Sequence, residues 1–182
     1  MLVSMSIAAG AGEIAGIKLD ERATLGTSEL VLNGAGLRKK FFLKVYVAGL
    51  YLTEKRKSPI GVFALAGPKR ASITLLRDLP AQELVDALTN GIRANSSLEE
   101  QQTLQGRVDE LAANLLSIRW ARKGDVITVD WLPDVGTVVT LNGEVKGKSI
   151  PGYDVYRALL RVWLGDQPTS AGLKKALLGQ MD

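Results

Sequence analysis

Strands, then helices, then strands, then helices: this order of elements predicts an α+β chain in which a mostly antiparallel sheet is covered on one face by helices. Three observations carry that expectation. The stretch Leu43–Leu52 is a strand of ten residues, and Asn142-Gly143 is a hairpin turn between two further alternating runs. Between them, Pro80–Ala94 and the segment starting at Ser97 hold apolar residues at helical spacing.

The elements follow in order. Glu13–Leu19 and Glu29–Leu32 read as short strands, with the Gly26-Thr27-Ser28 turn before the second. Leu32–Leu52 begins with a glycine-rich turn that leads to Arg38 and two lysines, and then enters the long strand. Period two puts Phe41, Leu43, Val45 and Val47 on one face, wholly apolar and therefore core. The other face carries Phe42, Lys44, Tyr46, Ala48 and Leu50. That mixture of grease, a cation and a phenol is how a pocket for an amphipathic molecule is lined. The charges of Glu54–Ser58 break the strand, Pro59–Ala66 forms a short helix, Gly67-Pro68 ends it, and Ala71–Leu76 is another strand.

In the helical middle, Leu84, Leu88 and Ile92 share one stripe with Val85 beside it. Ser97 and Glu100 form a capping box, after which Leu104, Val108, Leu111 and Leu115 continue a buried face. Val126–Trp131, Thr137–Leu141 and Glu144–Ile150 are strands, the last two joined through Asn142-Gly143, where positive φ is tolerated. Tyr153–Leu164 is a helix stopped by Gly165, and Ser170 starts a final short one. No repeat, low-complexity tract or composition break marks a second domain, so residues 13–182 are read as one.

Composition excludes whole classes of chemistry. The 182 residues contain no cysteine and no histidine. That removes thiolate chemistry, imidazole bases and imidazole metal ligands together. Walker A, G-x-G-x-x-G and G-x-S-x-G sequences and metal-ligand clusters are also missing, so neither a cofactor nor a metal is expected. The net charge of +4 comes from scattered clusters, Lys55–Lys57, Lys69–Arg70 and Arg119–Lys123, none interleaved with aromatics. They read as a solvated basic surface, not a nucleic-acid site. Residues 1–12 carry a short apolar run ending in Ala9-Gly10-Ala11, like the back half of a secretion signal without its basic start. A periplasmic or secreted protein is expected, with a disordered leader on a cytoplasmic one as the alternative. No run is long enough to span a bilayer.

The carboxylate pairs Asp20–Glu21 and Glu99–Glu100 fall on opposite strand faces and in a helix first turn, respectively. Four residues remain as candidates for a ligand site: Arg38, Tyr46, Lys44 and Arg77. Arginine grips a carboxylate with a planar fork, and tyrosine adds a third donor on an apolar body. Along one straight strand, Arg38 and Tyr46 would lie roughly 26 Å apart at about 3.3 Å per residue and could not share a head group. A hairpin near Phe41–Leu43 would set them across from each other, but the residues there include no Gly, Asn, Asp or Pro. Periodicity leaves both geometries open.

The segments LNGAGLR, LKVYVAGLYL, GPKRASITLLRDL, KGDVITVDW and SIPGYDVYRALLRVWLGDQP, in this order, resemble the chalcone isomerase-like family, its bacterial branch in particular, over about residues 13–180. The resemblance implies an open-faced β-sandwich, a large antiparallel sheet covered by a layer of helices. It also implies that Arg38 matches the arginine of the ring-closing plant enzymes. Their catalytic Thr falls on Tyr46, their Tyr near Leu84 and their Asn near Asn90 or Gly91, so most of that set is lost; the loop after Arg38 is shorter as well. Haem-binding members that use histidine are no guide to this chain. The sequence is more similar to the fatty-acid-binding relatives, in which an Arg and a Tyr at these two places hold a carboxylate. The function expected is non-catalytic binding of a fatty acid or similar amphipathic carboxylate in a cleft between sheet and helices. The alternative is an isomerase or intramolecular lyase for a small phenolic or enone substrate, with Arg38 facing a developing oxyanion and Tyr46 moving a proton. A third possibility is an interaction protein whose cleft is filled by its own side chains.

Overall fold

The computed structural model describes residues 12–180. The expected leader therefore lies outside the described residues, save Gly12. Where one strand was expected over Glu13–Leu19, β1 (Glu13–Ile14) and β2 (Ile17–Lys18) make a minimal hairpin turning at Ala15 and Gly16, both at positive φ. β3 (Arg22–Leu25) pairs with β4 (Ser28–Lys40), which is far longer than the expected Glu29–Leu32. The glycine-rich segment expected to turn is the middle of this strand. β5 (Leu43–Leu52) returns antiparallel to β4 after only Phe41 and Phe42.

Beyond β5 the chain forms α1 (Pro59–Ala64), β6 (Lys69–Leu75) and the two-residue β7 (Leu79–Pro80). α2 (Ala81–Ala94) and α3 (Leu98–Leu116) follow, and the Ser97–Glu100 capping box is present at the start of α3. β8 (Trp120–Ala121) pairs with β7. β9 (Val126–Leu132), β10 (Gly136–Leu141) and β11 (Glu144–Ile150) precede α4 (Tyr153–Leu164) and α5 (Ala171–Leu177). Seven strands form one antiparallel sheet in the order β11-β10-β9-β6-β5-β4-β3. Among the described residues, no helix is long and apolar enough to cross a membrane.

The main core lies between one face of this sheet and the helices. Ala48, Leu50 and Leu52 of β5, Ile73 and Leu75 of β6, and Ile127 and Val129 of β9 pack against the stripes of α2, α3 and α4. Each fully buried aliphatic side chain contributes about 1.5–3 kcal/mol. The outer face of the sheet holds a smaller cluster of Leu25, Leu30 and Tyr51. Beside it, Asp130, only 2% exposed, takes a two-pronged grip from Arg70, with both bonds at 2.8 Å. A buried carboxylate without such a partner would cost several kcal/mol.

Two local features hold the frame around the site. α5 lies directly on β4 because Gly34 and Gly36 present no side chains. A Cβ at Gly34 would sit 2.1 Å from the Ala176 carbonyl oxygen, and one at Gly36 would sit 2.7 Å from Ala176 Cβ. At the far end of the sheet Lys69 is 1% exposed. Its ammonium donates to the Leu65 and Gly67 carbonyls and lies 4.8 Å from the centre of the Tyr153 ring. Burial lowers its pKa to about 8.

Gly34→Ala is expected to lower stability by about 1–3 kcal/mol through overpacking against α5; denaturant unfolding with an unchanged midpoint would contradict this packing. For Lys69, a lysine in the unfolded chain titrates near 10.4, so between about pH 8 and 10.4 the unfolded state holds the extra proton and folding stability rises with pH. Measured relative to Lys69→Met, wild-type stability should climb by up to about 3 kcal/mol across that window and stay level below it. A flat difference would show that Lys69 keeps an ordinary pKa.

Candidate functional site

Two breaks in the period of the β4–β5 pair build the site. The partners run Val31↔Leu52 and Leu32↔Tyr51, then Gly34↔Leu50 through Arg38↔Tyr46, then Lys39↔Lys44 and Lys40↔Leu43. Asn33 is thus an extra residue on β4, and Val45 an extra residue on β5. A one-residue slip reverses the faces of all that follows. Before Asn33, Leu30 and Leu32 belong to the outer cluster. After it, Gly34 and Gly36 face α5, and Arg38 and Lys40 line a cavity under the helices. The Asn33 side chain fixes this bulge. It donates to the carbonyls of Arg56 (2.9 Å) and Leu177 (2.8 Å) and accepts from Arg56 N (2.7 Å).

The second bulge sets Val45 and Tyr46, neighbours in sequence, against the same cavity. It also turns Lys44 away. Lys44 is exposed and does not line the cavity, although strict alternation places it beside Tyr46. Arg77, just past the end of β6, is likewise exposed and outside it. Both are corrections to the expected site. Phe41 and Leu43, expected in the core, are exposed at the hairpin tip. The hairpin resolves the distance problem: Arg38 and Tyr46 are direct cross-strand partners, not two ends of a straight strand.

The cavity encloses about 280 Å³, so the cleft is not filled by its own side chains. Ile73 and Ile127 from the sheet and Leu88, Leu159 and Val162 from the helices form apolar walls. The lining also carries charged and polar groups, Arg38, Lys40, Glu83, Asp86 and Asn90. Leu84 and Asn90 occupy the places where the resemblance sets a catalytic Tyr and Asn. Leu84 contributes only an apolar wall. Gly91 is a packing position, since a Cβ there would meet Val162 Cγ1 at 2.7 Å, so Asn90 is the amide that reaches the cavity.

Tyr46 is 8% exposed, and its hydroxyl accepts from Trp163 Nε1 at 2.9 Å. An indole N–H only donates, so the phenol proton must point elsewhere. Among the described residues no acceptor takes it. Burial raises the Tyr46 pKa; the Trp163 hydrogen bond and the Arg38 charge offset part of that rise. The phenol therefore stays protonated near neutral pH and serves as a donor. Arg38 donates Nη1 to the Lys39 carbonyl. Arg70, Arg107 and Arg161 each hold a carboxylate, whereas among the described residues Arg38 holds none. The result is a half-buried cation and a polarised phenol, cross-strand partners on the wall of a largely apolar hole. Among the described residues no group of three or more carboxylates is placed to hold a metal ion.

Sequence reasoning missed Lys40 and Trp163. Lys40 follows Arg38 at spacing two on what proved to be a strand. Trp163 sits in a helix stripe, and the one available signal was that a buried indole N–H needs an acceptor.

Tyr46→Phe should strand the Trp163 N–H in a buried place and destabilise by about 1–3 kcal/mol. The double variant with Trp163→Phe should cost clearly less than the sum of the two single changes. Strict additivity in denaturant unfolding would mean that the bond contributes nothing.

Comparison with known proteins agrees with this architecture. The family model described as chalcone isomerase-like matches residues 11–179. No curated protein sequence matches significantly. Among solved structures, the crystal structure of a fatty-acid binding protein from Arabidopsis thaliana superposes with a TM-score of 0.67 at 14% sequence identity. The match covers 90% of this chain and 92% of that one, and at such identity it shows a shared fold. The chain belongs to the chalcone isomerase-like family.

Proposed function

We propose that this protein binds, without catalysis, a fatty acid or similar amphipathic carboxylate, head group toward Arg38 and Tyr46 and chain along the apolar walls. One observation carries the reading: an arginine that holds no carboxylate among the described residues and a phenol with an uncommitted proton are cross-strand partners lining a largely apolar cavity. A carboxylate accepts a fork of bonds from guanidinium and a further one from the phenol, which satisfies both groups at once. At about 280 Å³ the space is at the small end of ligand cavities, which suits one slim acyl chain better than a two-chain lipid. The fold shared with a fatty-acid binding protein supports the same ligand class. With no histidine in the chain and the Tyr46 pKa raised, the interior offers a poor proton shuttle near neutral pH.

Titration with a long-chain fatty acid, followed by tryptophan fluorescence and native mass spectrometry, tests this reading. Arg38→Ala should weaken binding roughly 10- to 100-fold, the value of a charge-assisted hydrogen bond of about 1.5–3 kcal/mol. Wild-type protein that takes up no acid, or a variant that binds as tightly, would overturn it. The presence of Asn90 in the lining of the same cavity as Arg38 and Tyr46 favours one second reading, an isomerase acting on a small enone. Chalcone cyclisation no faster than the uncatalysed reaction would remove its narrow form.

A further inference from the structure

We propose that the β4–β5 hairpin tip is a membrane-docking element that inserts Phe41 and Phe42 into an anionic lipid surface. The two rings are 89% and 88% exposed, and Leu43 beside them is 43% exposed. The turn between β4 and β5 consists of these two phenylalanines alone, with Lys40 and Leu43 the last pair of the ladder. Phe41 stands at φ 57, a region that bulky residues rarely occupy. Gly, Asn or Asp would make this turn without strain. The tip therefore keeps grease in water at a conformational cost, a pattern that points to a role outside the fold.

The surroundings select the partner. Lys39, Lys40 and Lys44 flank the rings on the two strands, and no acid lies between residues 38 and 44. Leu76 N donates to the Val45 carbonyl at 2.9 Å, so the chain leaves β6 toward Arg77 beside the base of the hairpin. Lys44 and Arg77, both outside the cavity, thus extend one basic collar. The acid that follows Arg77 in sequence, Asp78, is engaged by Lys123 N (2.8 Å) and Arg122. Glu83 and Asp86 face the cavity mouth on α2. Two protruding rings offer roughly 400 Å². That is about half of the roughly 800 Å² per partner a stable protein interface needs. It fits the shallow insertion of aromatics below a ring of cations on an anionic bilayer. Lys40 belongs both to the collar and to the cavity mouth, so docking brings that mouth to the lipid surface.

Flotation with equimolar phosphatidylglycerol–phosphatidylcholine vesicles, with pure phosphatidylcholine vesicles as control, tests the proposal on the ligand-free chain. Wild type should float with the anionic vesicles, more weakly at high salt, and hardly with the neutral ones. Phe41→Ser/Phe42→Ser should lose at least about tenfold in vesicle affinity while binding fatty acid as wild type does. Lys39→Glu/Lys44→Glu should lose the preference for anionic lipid. Because the chain has no cysteine, Phe42→Cys carrying an environment-sensitive dye reports insertion directly as a blue shift. No flotation of wild type, or unchanged flotation of the double serine variant, overturns the proposal. Self-association that the double serine variant abolishes, seen by sedimentation velocity without vesicles, would instead assign the tip to a second copy and overturn it as well. Tyr46→Phe should float like wild type, so failure of fatty-acid binding leaves this outcome readable on its own.

Discussion

The register of β4 against β5 is the constraint on which the rest depends. Without the Asn33 bulge, the residues of β4 that now face the helices would face outward. Gly34 and Gly36 would no longer lie beneath α5, and Arg38 and Lys40 would point away from the cavity. The bulge is held by the three hydrogen bonds of one buried amide, which also tie in the loop after β5 and the end of α5. Asn33 therefore couples the closure of the helical layer to the direction of Arg38.

The second bulge works at the other end of the same ladder. By setting Val45 and Tyr46 on one side, it adds an apolar wall beside the phenol and turns Lys44 toward the hairpin's basic collar. Trp163 completes the arrangement from α4. Its indole occupies the hydroxyl as an acceptor, which leaves the phenol one way to act, as a donor toward the space beside Arg38. Burial does the same from another side, since desolvation favours the neutral phenol. Packing and electrostatics thus agree on one chemical outcome, a neutral donor next to a permanent cation.

Much of the fold was legible because most elements obey their period. The stripes of α2 and α3, the capping box at Ser97, the Asn142-Gly143 hairpin and the strand Leu43–Leu52 all stand where local chemistry puts them. What failed, failed at the bulges and at turns that local chemistry does not announce, with Arg77 beyond the end of β6 as a further miss. Alternation has no way to register an inserted residue, so it put Lys44 with Tyr46; Phe41 and Leu43, placed in the core by the same period, stand instead at a hairpin tip. A strand-interior glycine is the signal for a bulge or for close backbone approach, and Gly34 after Asn33 is both. The same segment read as a turn only because glycine serves turns as well. Arg38 and Tyr46 were picked out by chemistry, but their meeting depended on a hairpin whose two phenylalanines give no turn signal.

The most direct measurement of the central claim, that Arg38 and Tyr46 jointly hold a carboxylate, is nuclear magnetic resonance of a fatty acid labelled with carbon-13 at its carboxyl group. Bound between the guanidinium and the phenol, the carboxyl should stay ionised well below the pH at which the free acid takes up its proton. It should also show contacts to the Tyr46 ring protons, and both features should vanish in Arg38→Ala. A bound acid that titrates like the free one, or that shows contacts only with residues remote from Tyr46, would contradict the claim.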